Sequence, residues 1–372
     1  MKKYIINIIL FLLFVEIGSF IFSKNNLLIT NSPPPLYSKK NETSISDFWI
    51  EESPWGAWRK ANTSTYHQSQ CFDVMYTSNE VGAKDDSFEN IDKNNYIMLG
   101  DSMASGYGSN NDDDFETILE KKLDTNILNF ATAYDFGPLQ YWMIYDKLAK
   151  FYEHNKIIIV LYPGNDFTDN QNDRFDKKRW RPYYKLNNDG SYDYFYNKEA
   201  KNKKIYKHSA SLEKRFTLIK VKQFIKKNFW TTNTIRSINI IIQRFKSNYS
   251  PFSYIVEDVY SGYLDPKIDQ QKAVIYFIEK IIESSYPKEV ILVSIPRPQD
   301  FDKVNNNKDV LKNIYWHKEL LNKDKVNKRF TFIDIINNRP KNIFDLYHTC
   351  DGHLSRFGNE WVADKIYEVI NN

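Results

Sequence analysis

The stretch Asn95-Tyr96-Ile97-Met98-Leu99-Gly100-Asp101-Ser102-Met103-Ala104-Ser105-Gly106-Tyr107-Gly108 sets the reading of the fold. An apolar run from Tyr96 to Leu99 stops at Gly100, and small polar residues then lead into a helical pattern from Asp113 to Leu123. That order predicts a buried strand passing through a loop into a helix. In open α/β sheets the carboxyl end of such a strand is where ligands bind. Gly100 permits a sharp turn, so Ser102 is expected just past the strand, its hydroxyl exposed and its N–H free to face a developing negative charge. Ser102 is therefore a candidate nucleophile. Gly, Asp and Ser are equally the ordinary residues of a turn, and the tripeptide by itself leaves both readings open.

Working outward, strands are expected near 95–100, 126–131, 156–162, 289–295 and 329–335, with helices near 113–123, 138–153, 267–286 and 356–370. Alternating strands and helices imply parallel βαβ units and a sheet covered on both faces, an α/β fold. Lys156 to Tyr162 is the clearest central strand, because a doubly covered strand must be apolar on both sides. Between the third and fourth strands lies a long insertion, about 171–262. Its residues 171–250 carry 20 Lys plus Arg against 6 Asp plus Glu. Asn187-Asn188-Asp189-Gly190 between Tyr-rich flanks predicts a hairpin turn, and Leu218 to Phe229 and Thr234 to Phe245 have the pattern of amphipathic basic helices. The basic insertion is either a cap that attracts an anionic substrate or membrane headgroups, or a solvated lysine-rich surface.

The chain has 372 residues, 42% hydrophobic and 26% charged, enough for one large domain with additions or for two. Its aromatic content of 16% argues against disorder, and a net charge of +4 is too small to imply a nucleic-acid partner. Lys2 and Lys3 precede a mostly apolar stretch from Tyr4 to Phe22, interrupted by Asn7 and Glu16 and followed by Lys24. This predicts a membrane segment in 1–23, with an uncleaved signal-anchor favoured over a signal peptide because no small-x-small cleavage site follows. The rest would then be extracytoplasmic, in the periplasm or at the cell surface. Residues 24–45, with Pro33-Pro34-Pro35, read as a linker. Residues 46–94 read as a β-rich arm with a strand at Cys71 to Tyr76. Cys71 and Cys350 are the only cysteines. In an exported chain they permit one disulfide, which would tie the arm to the C-terminal loop; two free buried thiols are the alternative.

Further landmarks follow the first stretch in order: Gly137 after the second strand, Gly164-Asn165-Asp166 after the third, and Asp351-Gly352-His353 near the end. Together with Ser102 they resemble the SGNH (GDSL-type) hydrolases, whose Ser, Gly, Asn and His occur in that order. The resemblance covers roughly 95–170 and 287–370 of a hydrolase-like domain spanning 95–372. It implies a three-layer, flavodoxin-like fold of five parallel strands, and a Ser-His-Asp hydrolysis that uses no cofactor. Acyl transfer needs a nucleophile, a base, a group that orients the base, and oxyanion donors. The resemblance assigns these to Ser102, His353, Asp351, and a hole made by the N–H of Ser102, an N–H at Gly137 and the side-chain amide of Asn165.

Six histidines compete for the role of base, and His348 and His353 both fall in the loop after the last strand. Asp345-Leu346-Tyr347-His348 has the family's usual Asp-x-x-His spacing. His353 is chosen over it because Leu354-Ser355-x-x-Gly358 and a closing helix follow, as in the family. An Asp-x-His spacing also occurs in its alginate O-acetyltransferase-like branch. Two departures stand out. Pro163 takes the place of the first Gly in Gly-x-Asn-Asp, and no additional glycine occupies the region of Tyr134 and Asp135, which leaves open which N–H enters the hole. Asp101 and Asp166 read as loop-bonding residues. Asp112-Asp113-Asp114 reads as a helix cap, and no metal-ligand spacing is present.

The expected function is hydrolysis of an O-acyl ester, short-chain or acetyl, on a small molecule, glycan or lipid. The alternative is an O-acyltransferase acting on an envelope or exported polysaccharide, with an inactive glycan-binding scaffold as a third class.

Overall fold

The computed structural model describes residues 2–25, 27, 42–43, 48–68, 72–89, 91, 95–132, 136–171, 180–196, 229–235, 237–238, 262–306, 309–348 and 351–371. Its centre is a sheet of five parallel strands: β6 (Tyr96–Leu99), β7 (Ile127–Asn129), β8 (Lys156–Leu161), β11 (Glu289–Ser294) and β12 (Phe330–Asp334). They lie in the order β7-β6-β8-β11-β12. From Ile157 to Leu161 every residue of β8 is buried, as an apolar run between two helix layers must be. All five strands begin and end within three residues of their expected limits.

The strand order fixes where the helices go. The step from β6 to β7 runs toward one edge, and all later steps run toward the other. Right-handed crossovers therefore put α2 (Phe115–Leu123) on one face, and α3 (Pro138–Lys147), α5 (Ile268–Ser284) and α7 (Tyr315–Val326) on the opposite one. In agreement, α2 packs with the last helix, α8 (Arg356–Ile370), while α3 and α7 both pack on α5; α6 (Pro298–Asn306) follows β11. The order reverses at β6, so the crevice of the sheet opens between the carboxyl ends of β6 and its neighbours.

The N-terminal arm consists of a hairpin, β2 (Trp49–Ser53) with β3 (Gly56–Arg59), and a three-stranded piece in which β4 (Thr63–Gln68) pairs antiparallel with β5 (Asp73–Ser78) and parallel with β1 (Glu42–Thr43). The strand expected at Cys71 to Tyr76 is set two residues later. Val74, Tyr76 and Ser78 turn inward there, and the alternation continues through Ser78. The arm is fastened to the sheet's loops by Arg59, whose Nη1 donates to the carbonyl of Ala131 at 3.1 Å. In the insertion, β9 (Pro182–Leu186) and β10 (Tyr192–Tyr196) form the expected hairpin, with Gly190 at φ +84° in its turn. Of the two expected basic helices, 218–228 and 239–245 lie outside the described residues, while 231–235 and 237–238 are helical. Cys71, Cys350, Tyr134 and Asp135 also lie outside them.

One apolar helix, α1 (Lys2–Lys24), precedes the arm. Its segment Ile6–Ser23, of mean hydropathy 2.2, is long and apolar enough to cross a membrane.

Candidate active site

The loop leaving β6 is held open by its own side chains. Asp101 Oδ1 accepts the N–H of Met103 at 2.9 Å, and Ser105 N donates to the Asp101 carbonyl at 3.0 Å. Asn129, at the end of β7, donates from Nδ2 to the Ala104 carbonyl at 3.0 Å and ties the loop to the next strand. Gly100 is required by close packing: a Cβ there would stand 2.5 Å from Ala104 Cβ and 3.1 Å from Val160 Cβ. The reason expected from sequence, a special turn conformation, instead applies at Gly106 (φ +63°) and Gly108 (φ +85°).

Ser102 and His353 meet above the sheet although 251 positions separate them: His353 Nε2 lies 2.7 Å from Ser102 Oγ. His353 Nδ1 is hydrogen-bonded to Asp351 Oδ1, and the same oxygen accepts the His353 backbone N–H at 3.0 Å. The imidazole thus stands between hydroxyl and carboxylate, with 22% of the His353 side chain and 27% of the Asp351 side chain exposed, so a substrate can reach them. Burial alone would raise the Asp351 carboxyl. The hydrogen bonds and charge of His353 outweigh burial and hold the group below the ordinary carboxylate range. His348, the reserve candidate, makes no hydrogen bond to Ser102 among the described residues. Its ring packs on Phe72, with centroids 5.1 Å apart, and burial pushes its imidazole down.

The expected oxyanion donors are in different states. Among the described residues the Ser102 N–H has no acceptor. Asn165, just after β8, is near, and its Nδ2 donates to Asp101 Oδ2 at 3.3 Å and to Asp169 Oδ2. The Gly137 N–H already has an acceptor within the fold. It donates to Gln140 Oε1 at 3.0 Å as the N-cap of α3, and a Cβ at Gly137 would stand 2.4 Å from Asn170 Oδ1. Glycine at 137 is explained by that tight junction. Asp166, on the short helix α4 (Asp166–Asp169), is wholly buried, accepting from the Tyr141 hydroxyl and the Tyr162 N–H, each at 2.7 Å. Burial, with Asp101 and Asp169 nearby, pushes its carboxyl up. Asp114 caps α2 by accepting the Thr117 N–H at 3.2 Å and pairs with Lys84 at 2.7 Å.

Several site neighbours had escaped the sequence reading. Tyr107 lays its ring against His353, with centroids 4.3 Å apart and planes 35° from parallel. Its hydroxyl faces His67 Nε2 at 3.4 Å, and His67 Nδ1 lies 2.9 Å from the Tyr76 hydroxyl, which accepts the Gly108 N–H at 2.8 Å. The arm therefore buttresses the loop that carries Ser102. Burial pushes the His67 imidazole down to about 4, keeping it neutral. Tyr107 could have been suspected, since it lies five residues past Ser102 in the opening stretch. Nothing in the sequence marks His67 or Tyr76. From the insertion, buried Arg181 donates to the Asp169 carbonyl at 2.7 Å and joins the insertion to the same loop cluster.

Comparison with protein-family models finds no match to this sequence, and comparison with curated proteins finds none either. The chain is similar in fold to solved lipases and esterases. A lipase from a goat rumen metagenome, 13% identical, covers 74% of this chain and 96% of its own at a TM-score of 0.38. A lipase/acylhydrolase from Enterococcus faecalis, 9% identical, covers 74% and 95% at a TM-score of 0.39. A carbohydrate esterase, 13% identical, covers 75% and 65% at a TM-score of 0.34. At that identity and overlap the likeness concerns the course of the chain, and the chemistry rests on the site's own geometry.

Proposed function

We propose that the chain is a membrane-anchored, extracytoplasmic serine esterase of the SGNH type that removes a short acyl group from an oxygen ester. The observation that carries this reading is the 2.7 Å contact between Ser102 Oγ and His353 Nε2, with Asp351 on the other ring nitrogen. Ser102 attacks the acyl carbonyl while Nε2 takes its proton. Asp351 keeps the proton on Nδ1, so that Nε2 is the basic nitrogen, and balances the imidazolium that forms. The tetrahedral oxygen is met by the Ser102 N–H, and by Asn165 once one of its amide hydrogens leaves a carboxylate. A donor of this kind is worth ~10²–10³ in turnover. Collapse expels the alcohol, which takes the proton from Nε2. Water then repeats the cycle on the acyl-Ser102 ester and releases the acid.

Anchoring follows from α1: Lys2 and Lys3 precede the span, which favours that end on the cytoplasmic side. The test is hydrolysis of short acyl esters and acetylated glycans by the full chain in detergent, beside Ser102→Ala and His353→Ala. Each substitution should lower kcat by ~10⁴ or more at unchanged thermal stability. Full activity in either variant overturns the proposal. Turnover that requires a sugar hydroxyl as acceptor makes the chain an O-acyltransferase with the same residues.

A further inference from the structure

The apolar helix α1 carries one carboxylate within its span, and that carboxylate is matched. Glu16 Oε1 accepts the Trp230 N–H at 2.7 Å, while Oε2 accepts the Thr231 N–H at 3.0 Å and the Thr231 hydroxyl at 2.5 Å. Further along α1, Ser19 Oγ meets the Thr234 hydroxyl at 2.7 Å, and Ser23 Oγ accepts from Asn233 Nδ2 at 3.1 Å. Phe20 stands edge-on to Trp230 at 5.3 Å. All of these partners belong to the basic insertion, more than 200 positions downstream.

The pair is built inside out. Ser19, Ser23, Asn233 and Ser237 are buried between the two segments, whereas Ile17, Ile21, Phe229, Ile235 and Ile238 are well exposed. Water favours the reverse arrangement. Hydrocarbon favours this one, because polar side chains there must find one another across the helix interface. We infer that residues 229–235 and 237–238 of the insertion lie in the same bilayer as α1, with Ile235 and Ile238 against lipid acyl chains. This rests on the reading of α1 as a membrane anchor and gives the insertion its role.

The geometry also sets the depth and the manner of entry. Glu16 lies eight residues from the Lys24 end of α1, about 12 Å at the helical rise, within the outer half of a ~30 Å hydrocarbon layer. The insertion leaves the catalytic domain after β10, where the Tyr196 hydroxyl reaches the Pro54 carbonyl, and has rejoined it at Tyr263, which is buried in the core. Both ends are on one side of the membrane, so the insertion adds no net crossing. Residues 197–228, just before it, carry 11 Lys plus Arg against 2 Asp plus Glu, a composition that anionic headgroups attract. The site would thereby be held close to the membrane surface by two attachments.

A photoreactive benzoylphenylalanine placed singly at Ile235, Ile238, Phe11 or Phe151 in the full chain, reconstituted in vesicles containing phosphatidylglycerol, tests this. Phe11 is exposed on α1, and Phe151 is exposed on the catalytic domain. Lipid adducts at Ile235 and Ile238 should match those at Phe11 and exceed those at Phe151 by roughly tenfold, as contact with acyl chains rather than water requires. Adducts at Phe11 with none at Ile235 and Ile238, or with protein adducts there in place of lipid, overturn the inference. An absence of lipid adducts at Phe11 overturns the anchor reading itself, and the inference with it.

Discussion

Two clusters containing Ser, His and Asp stand at the carboxyl edge of the same sheet, and they are wired in different orders. In the first, the imidazole of His353 lies between Ser102 and Asp351, open to solvent. In the second, Ser294 ends β11 and Asp334 ends β12, paired in register, and the carboxylate lies in the middle. Asp334 Oδ1 accepts from Ser294 Oγ at 2.8 Å and from the Tyr263 hydroxyl at 3.1 Å, while Oδ2 holds His317 Nε2 at 2.7 Å. Among the described residues Ser294 is hydrogen-bonded to no imidazole, only to Asp334 and the Tyr263 hydroxyl, and all four side chains are buried. The same three residue types make a reactive site when the base stands between the others and can be reached. With the acid between them and no access, they make a brace joining β11, β12 and α7.

The largest contrast is expected at the two acids. Asp351→Asn should lower kcat by ~10³–10⁴ with little change in melting temperature, because His353 loses the partner that fixes its tautomer. Asp334→Asn should keep kcat within a few-fold while destabilising the fold by ~3 kcal/mol, since it leaves buried donors badly matched. Parallel assays of turnover and thermal unfolding check both. An inactive but fully stable Asp334→Asn protein would erase the distinction between the clusters. Ser294→Ala is a milder form of the same test, expected to cost ~1–2 kcal/mol of stability and no activity.

Tyr107 sharpens the comparison, because its ring lies 35° from parallel to His353, whereas Trp316 and Phe332 stand edge-on to His317. Tyr107→Leu should reduce kcat by ~10–100-fold through looser placement of His353, with KM nearly unchanged and a shifted pH–rate profile. A pure rise in KM would instead place Tyr107 against the substrate. The smallest effect concerns His67. Its pKa of about 4 in the fold lies below the value of 6.5 for an unperturbed histidine. Between those values the unfolded chain binds a proton that the folded chain refuses, so its contribution is present above pH 6.5 and lost as the pH falls to about 4. Relative to His67→Phe, the parent should therefore lose melting temperature across that window. Taking the difference cancels Asp85, Glu116 and Glu120, which burial raises and which titrate in the opposite sense. A flat difference would contradict the burial of a neutral His67.

Much of this was legible beforehand because it is local. The strand limits follow from apolar runs, the hairpin from Asn187 to Gly190, and the position of Ser102 from a strand stopping at Gly100. The parts that escaped depend on distant segments. His67 and Tyr76 reach the catalytic loop only because the arm folds over it. Glu16 looked like an interruption in an apolar run until Trp230 and Thr231 were seen to meet it. Gly137 is ambiguous because a glycine that caps a helix and a glycine that lines a hole look alike in sequence. The Gln140 side chain that occupies its N–H gives no signal of doing so.

The central claim is that Ser102, and no other serine, is the activated one. Treating the full chain with a fluorophosphonate and mapping the adduct by peptide mass is the most direct measurement. A single adduct on Ser102, lost in His353→Ala and unaffected by Ser294→Ala, is the predicted result. An adduct on another residue, or labelling of Ser102 that persists undiminished in His353→Ala, would contradict it.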